Sequence, residues 1–492
     1  MHSRLVIATF SSFFLLALSG CVISGIAYHD QQEETLRQRI LLPQMHPAKK
    51  VTSARPVTPE PVPDRPICLE EAIAVALKNN HSLLQAQQDK GIALDEKEIA
   101  RSLFLPAVTA GYAYAWSNRQ QAMINPQQPG LVMYAGERDF QKAEVKIMMT
   151  LWDFGRSLGA YNQASLRREI AELLYKRRRQ RVVMDVVNAY FNLLRAQREK
   201  VIAEESLTQA REHLKTAVRF HKYGVVDLND VLRARVQVAD VKQMLIKAKN
   251  AIELCTSTLN SVLGVNVNLP TRVIDDTTIA PFELSLEDCL RLAVEHRPEF
   301  EVVHRAISVE QEGIRAAKGG HLPRIYVGAN YDWNDDGYRK FASSRGGLHD
   351  SNISGEIGIQ IDLFSGGRTT AEVRKAKKKL AKAKEQAKEV CDGISLQVKG
   401  AFLGIKEAKE RIKVTKEARL QAKENLRLMN SKYRQNIVAS TDVVDAETLL
   451  TRTEQNYYTA LYDYIVAIAR LENAIGTRIR HMKPAPPGQI HN

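Results

Sequence analysis

The sequence has 492 residues, of which 44% are hydrophobic and 26% are charged, and its formal net charge is +14. A chain of this length can hold roughly two or three ordinary domains, and outside the N-terminus no run of about 18 apolar residues predicts a transmembrane helix. The sequence contains no HExxH, GxSxG, P-loop or dinucleotide-binding motif, so it predicts no enzyme, no metal site and no cofactor.

The first 20 residues are typical of a secretion signal. Arg4 supplies a positive charge, an apolar core follows from Leu5 to Leu18, and the segment ends in Leu-Ser-Gly-Cys. This ending resembles a bacterial lipobox, which would make Cys21 an acylated first residue that tethers the mature chain to a membrane. The alternative is an ordinary signal with a chance cysteine. Residues 21–66 are polar and rich in proline, and we expect an extended linker.

The rest of the chain consists of two copies of one pattern. LEEAIAVALKNN and LPAVTAGYAYAW recur as LEDCLRLAVEHR and LPRIYVGANYDW at an offset of 217 residues, and a second block recurs at an offset of 212. The offset changes between Trp116 and Leu151, which indicates a surface loop there. We therefore predict two structural repeats, 67–264 and 285–476, a connector at 265–284 and a flexible tail at 477–492.

Three helical segments are predicted in each repeat. The first, at 69–104, carries apolar residues at helical spacing and ends before a proline. The second is a proline-free stretch from Ser157 to His221, or about 98 Å of helix at ~1.5 Å per residue. A break at Tyr223-Gly224-Val225 separates it from a third helix that ends at Gly264. These lengths predict one long helix packed beside two shorter helices laid head to tail.

Between the first and second helices of each repeat, period-2 alternation predicts a β-hairpin, at 106–151 and at 323–363, with strands of roughly 9–11 residues. One face of each hairpin is apolar and ends in aromatic side chains. The side chains predicted to face lipid are Val108, Tyr112, Tyr114, Trp116, Val145, Ile147, Ile325, Tyr331, Trp333, Ile357 and Ile359.

Four amphipathic strands in one chain cannot close a membrane barrel. An open sheet in lipid would leave unpaired edge groups, each at a cost of several kcal/mol. Closure must therefore come from other copies of the chain. Two chains would give eight strands and a filled barrel, three would give twelve strands and a lumen, and these residues alone leave that choice open.

Much of the positive charge lies near the start of each long helix, at 167–181 and 368–389. Solvated helix faces are one interpretation. The other is that these segments, which follow the membrane strands, face anionic headgroups or line the upper part of a duct. A secreted chain does not meet DNA, so nucleic acid is excluded as a partner despite the charge.

The cysteines beyond the signal show no CxxC and no disulfide-rich pattern. In an oxidising compartment Cys68 and Cys289 could form a disulfide. The alternative, which the pattern favours, is that they are isolated small apolar side chains.

Three motifs occur in both copies and in the same order, and together they resemble the outer membrane efflux protein family. They are LEEAIAVALKNN and LEDCLRLAVEHRP, LPAVTAGYAY and LPRIYVGANY, and HKYGVVDLNDVLRA and YRQNIVASTDVVDA. The resemblance implies a mixed α+β fold that is mainly α. It implies a homotrimer with a 12-stranded transmembrane β-barrel in the outer membrane, to which each chain gives four strands, and a helical tube across the periplasm.

The same resemblance implies a passive exit duct that is surrounded by outer-membrane lipid and works with a periplasmic adaptor protein and an inner-membrane pump. In the family, an aspartate pair narrows the inner entrance where the long helix turns into the last one. The second copy keeps this pair as Asp442 and Asp445, whereas the first copy has Asp230 and Arg233. A ring of such carboxylates attracts cations.

The turns that adaptors contact in the family correspond to Tyr223 and Gly224 in the first copy and to Gln435 and Asn436 in the second. Glycine and asparagine accept a left-handed backbone conformation. We therefore expect this conformation at both turns. The alternative function is a lipid-anchored periplasmic coiled-coil scaffold without channel activity, which has no use for four alternating segments of membrane length. The exported substrate, whether drug, metal or protein, and the class of pump are left open.

Overall fold

The computed structural model describes residues 65–118, 122–124, 132–134, 139–275, 282–335 and 351–478. They all belong to one compact unit that spans 60–492. The predicted signal at 1–20, Cys21, most of the linker, part of the connector and the tail beyond residue 478 lie outside the described residues.

The described residues are mainly helical, with a four-stranded antiparallel sheet, which confirms the predicted fold class. In chain order the helices and strands are α1 (Leu69–Asn79), α2 (His81–Arg101), β1 (Ala107–Trp116), β2 (Ala122–Ile124), β3 (Val132–Tyr134), β4 (Asp139–Trp152), α3 (Arg156–Lys222), α4 (Leu228–Leu263), α5 (Leu286–His296), α6 (Pro298–Gly319), β5 (Arg324–Asp335), β6 (Ser351–Gln360), α7 (Arg368–Arg434) and α8 (Ser440–Ile475).

The prediction of one continuous helix at 69–104 is wrong, because the chain breaks at Asn80 into α1 and α2. Asn80 has an extended backbone, and its side-chain oxygen accepts hydrogen bonds from the N–H groups of Ser82 and Leu83, which caps α2. The second repeat breaks at Arg297, because the following proline disfavours a helical conformation of the residue before it.

The long helices α3 and α7 have 67 residues each, or about 100 Å of helix. Within its own repeat α3 packs against α2 and α4, and α7 packs against α6 and α8, which is the predicted side-by-side arrangement. Contacts of α3 with α6 and α8 join the two repeats. Buried aliphatic side chains fill the helix interfaces, for example Leu193, Leu263 and Ile475. None of the helices in the described part of the chain is both long and apolar enough to cross a bilayer.

The main sheet has the strand order β1-β4-β5-β6, so β1 and β6 are its open edges. The predicted strand limits need two corrections. β4 begins earlier than expected, at Asp139, and β6 ends at Gln360, so that Ile361 and Leu363 lie beyond the strand. The segment predicted as a plain loop also contains β2 and β3, which pair with each other.

Candidate functional site

All of the side chains that we predicted to face lipid lie on one face of the main sheet. The register pairs Val108 with Ile147, Val145 with Tyr331, and Ile325 with Ile359. Paired residues point to the same side of a sheet, and the remaining members of the set follow at steps of two along each strand. In the single chain this face is open: the side chain of Ile357 is 77% exposed.

The opposite face of the sheet is small and polar. Lys142 and Glu144 form an ion pair of 2.9 Å on it. Tyr326 lies over Gly358 on the neighbouring strand, where an added Cβ atom would come within 2.4 Å of the tyrosine Cζ. The sheet is therefore amphipathic across its full width, with an apolar face and a polar face.

The two predicted turns lie where α3 and α7 end. Gly224 has a φ of +70° and Asn436 a φ of +56°, so both have the left-handed backbone that the sequence predicted. Tyr223 is 74% exposed, and Gln435 is also exposed. A Cβ atom added to Gly224 would have no atom within 4 Å. Both turns thus present open surface beyond the helix ends.

The predicted gate aspartates lie near the starts of the last helices. Asp442 and Asp445 are both exposed on α8, and the Asp442 carboxylate accepts a hydrogen bond of 3.0 Å from the Ala439 N–H, which caps the helix. Asp230 is half-buried in the first turn of α4, and its main-chain oxygen accepts a 3.5 Å hydrogen bond from the Ser440 hydroxyl. This contact brings the starts of α4 and α8 together.

Behind the aspartates lies a buried polar cluster that the sequence did not predict. His213 Nε2 is 2.8 Å from Ser440 Oγ, and the His213 ring centroid is 4.9 Å from that of Tyr433. Burial lowers the pKa of His213 to about 4. Farther along α8, Glu447 is also buried, which raises its pKa to about 7. No local pattern could reveal the cluster, because His213 and its partners are more than 200 residues apart in the chain.

The basic residues in these two segments are of two kinds: some pair with other helices, and others are exposed to solvent. Arg177 on α3 forms an ion pair of 2.7 Å with Glu299 and donates a hydrogen bond to Asn473, so it joins three helices. The lysines between 375 and 384 on α7 are exposed to solvent. They fit both interpretations of the charge, a solvated face or an anion-facing one.

The four cysteines in the described part of the chain are free. Cys289 is buried, and burial raises the pKa of its thiol to about 11. Among the described residues no group of three side chains is placed to hold a metal ion.

An amphipathic sheet with two open edges, joined to helices of about 100 Å, is the architecture that the resemblance to outer-membrane channel subunits implies. The chain belongs to the outer membrane efflux protein family, whose family model matches residues 72–265 and 289–477. The family consists of channel-forming outer-membrane proteins and not of enzymes. Because the chain belongs to this family, its location is the outer membrane.

Relatives by sequence include an outer membrane protein and a secretion protein. The chain is 24% identical over 413 residues to the outer membrane protein TolC of Escherichia coli (strain K12), which covers 81% of this chain and 80% of the relative. It is 19% identical over 404 residues to the alkaline protease secretion protein AprF of Pseudomonas aeruginosa, which covers 81% and 82%.

Solved structures show the same fold. The Campylobacter jejuni CmeC outer membrane channel matches with a TM-score of 0.71 and 18% identity over 83% of this chain and 85% of that chain. The outer membrane protein VceC of Vibrio cholerae matches with a TM-score of 0.71 and 16% identity over 84% and 97%.

Proposed function

We propose that three copies of this chain form the outer-membrane exit duct of a tripartite efflux or type I secretion system. Substrate would pass from an inner-membrane pump through a periplasmic adaptor and this passive duct to the outside. The observation that carries the proposal is the sheet: it has one exposed apolar face, one polar face, and two edges, β1 and β6, that have no partner strand among the described residues.

Closure of the barrel requires other copies of the chain. The N–H and C=O groups along β1 and β6 have no water to bind in hydrocarbon, so each open edge must pair with a strand. If β6 of one copy pairs with β1 of the next, three copies give a cylinder of twelve strands. A cylinder of this size has an interior wide enough for passage, whereas eight strands are filled by their own side chains.

In this assembly each group of predicted site residues has a specific function. Val108, Ile357 and the other side chains of the apolar face contact lipid. Three copies of Asp442 and Asp445 converge on the axis at the helical end, with Asp230 beside them, and form a cation-attracting mouth. The turns at Tyr223–Gly224 and Gln435–Asn436 contact the adaptor.

We also propose a role for each segment of the chain in this assembly. A lipoprotein signal at 1–20 is removed, and acylated Cys21 with the linker tethers the first repeat, 67–264, to the membrane. The second repeat, 285–476, follows the connector and precedes the tail. Lipid-anchored scaffolding without a channel is the rival function, and the row of apolar side chains on one sheet face favours the duct over it.

The test combines two measurements on the protein purified in detergent. Light scattering gives the number of chains in each particle, and conductance in planar bilayers shows whether the particle forms a pore. We expect three chains and discrete, long-lived conductance steps. Single chains without conductance would support the scaffold.

A matched experiment tests the adaptor contact. A photo-crosslinking residue at Tyr223 or Gln435 should capture a periplasmic protein in cells. The same residue at Lys413, which is also exposed but lies on the shaft of α7, is the control and should capture much less.

A further inference from the structure

The interface between α3 and α8 joins the long helix of the first repeat to the last helix of the second, close to the exposed turns. Two hydrogen bonds fix its register: Ser206 Oγ lies 2.8 Å from Thr451 Oγ1, and His213 Nε2 lies 2.8 Å from Ser440 Oγ. Residue numbers rise along one helix as they fall along the other, so the helices are antiparallel. Glu447 follows Ser440 by seven residues and precedes Thr451 by four, so helical spacing places it on the same face of α8, between the two bonds.

His213 and Glu447 are both almost fully buried in the single chain, at 5% and 4% exposure. The Glu447 Oε2 atom has no hydrogen-bond partner among the described residues. A charged group in such a site is costly, so both side chains are held neutral: His213 without its extra proton and Glu447 with its proton.

Among the described residues, no charged side chain shifts the pKa of either group. Of the titratable groups on the helices packed around the pair, Tyr433 on α7 contacts the His213 ring, and Asp230 on α4 accepts a hydrogen bond from Ser440; Arg233 on α4 and Asp442 and Asp445 on α8 lie in the same helix starts. Arg233 and the α8 aspartates are exposed to solvent, and Asp230 approaches the interface through its main-chain oxygen. Burial is the sole cause of the shifted pKa of His213 and of Glu447.

We propose that His213 and Glu447 are an opposed pair that keeps the packing of α3 against α8 nearly independent of pH. When the interface opens to water, His213 gains a proton and Glu447 loses one. Acid therefore favours opening through the histidine and opposes it through the glutamate, and the two effects cancel over the mildly acidic to neutral range.

The size of the cancellation follows from the pKa values. The folded pKa of His213, about 4, lies below its ordinary 6.5, so the closed packing loses stability as pH falls from 6.5 towards 4. The folded pKa of Glu447, about 7, lies above its ordinary 4.5, so the closed packing loses stability as pH rises from 4.5 towards 7. From pH 7.5 to 5.0 the histidine alone would increase opening about 30-fold and the glutamate alone would decrease it about 50-fold, and together they leave about a twofold change.

Amide hydrogen exchange on the detergent-solubilised full chain tests this, with mass spectrometry of peptides that cover 206–217 and 437–451. Glu447→Gln should increase opening about 30-fold between pH 7.5 and 5.0, and His213→Gln should decrease it about 50-fold. The wild type and the double variant should change about twofold or less. His221→Gln, at an exposed histidine of the same helix, should behave as the wild type.

A single variant with the flat profile of the wild type would overturn the proposal. If a variant does not assemble, side-chain exchange of the His213 C2–H in the wild type tests the histidine half of the pair: titration near pH 4 is the expected result, and titration above pH 6 rejects the proposal. The proposal concerns the packing of two helices within one chain, and exchange reports that packing whether or not the chain forms a duct. Absence of conductance with the expected exchange pattern would therefore reject the duct and not the pair.

Discussion

Gly264 ends α4 directly against the main chain of Asn79, where an added Cβ atom would lie 2.2 Å from the Asn79 carbonyl oxygen. The φ of Gly264 is +74°, the left-handed conformation that closes a helix. The second repeat has the same joint, where a Cβ atom added to Gly476 would lie 2.8 Å from the carbonyl oxygen of His296. The short helices of each repeat thus meet end to end at a glycine, where any larger residue must displace the neighbouring main chain.

Gly264→Ala should lower the free energy of unfolding by about 2–4 kcal/mol, because a left-handed alanine is strained and its methyl group displaces the Asn79 main chain. Gly224→Ala is the matched control. Its φ of +70° imposes the same backbone strain, but its Cβ meets no atom within 4 Å, so we expect about 1 kcal/mol. Urea unfolding followed by circular dichroism gives both values. Equal losses would show that the joint is not tightly packed.

Asp463 on α8 should stabilise the helix bundle through two arginines from different repeats. Its carboxylate accepts hydrogen bonds from Arg195 on α3 and Arg411 on α7. These side chains are about one-third exposed, so we expect Asp463→Asn to cost only about 1–2 kcal/mol. Glu410→Gln, which breaks a fully solvated pair with Lys413, is the control and should cost less than about 0.5 kcal/mol in the same unfolding assay.

The two faces of β6 should respond differently to a charge. Ile357→Lys places an ammonium on the apolar face and should cost about 2–4 kcal/mol near the bilayer centre, with loss of the folded species from outer-membrane fractions. Ser354→Lys lies three residues away on the polar face, at a position that is also exposed, and should be tolerated. Heat-modifiable migration on gels measures folding in both. Loss with the second variant alone would place lipid on the other face.

The cation-attracting mouth formed by Asp442 and Asp445 should make the duct prefer cations to anions. Asp442→Asn together with Asp445→Asn should lower the cation-over-anion permeability ratio severalfold in bilayer recordings, because a ring of carboxylates concentrates cations. Asparagine keeps the oxygen that caps α8, so the helix start should survive. Asp227→Asn, another exposed aspartate at a helix start, is the control. An unchanged ratio in the double variant would remove these residues from the mouth.

The sequence predicts strands and their apolar face well, because alternation has a period of two and a buried or lipid-covered face tolerates no slip in register. The sequence predicts the helix ends at Gly264 and Gly476 equally well, because glycine closes helices in the left-handed conformation. The break of the first helix does not follow from the spacing of its apolar residues, although the sequence does contain signals for it. Asn80 is a strong helix-capping residue, and the proline at 298 restricts Arg297.

The contacts between repeats could not be predicted. His213 meets Ser440, and Asp463 meets Arg195, only because α3 of the first repeat packs against α8 of the second. Helical spacing shows that a residue is buried but not which distant helix covers it. A buried histidine or glutamate in one sequence therefore gives no sign of its partner.

The central claim is that neighbouring copies complete the sheet through β1 and β6. The direct measurement places a photo-crosslinking residue at Ala113 on β1 or at Ser354 on β6 and examines the products on denaturing gels. Lys146 on β4, a central strand, is the matched control. The account predicts a ladder that ends at three chains from either edge position and little product from the control. Edge positions that crosslink only within one chain would contradict it.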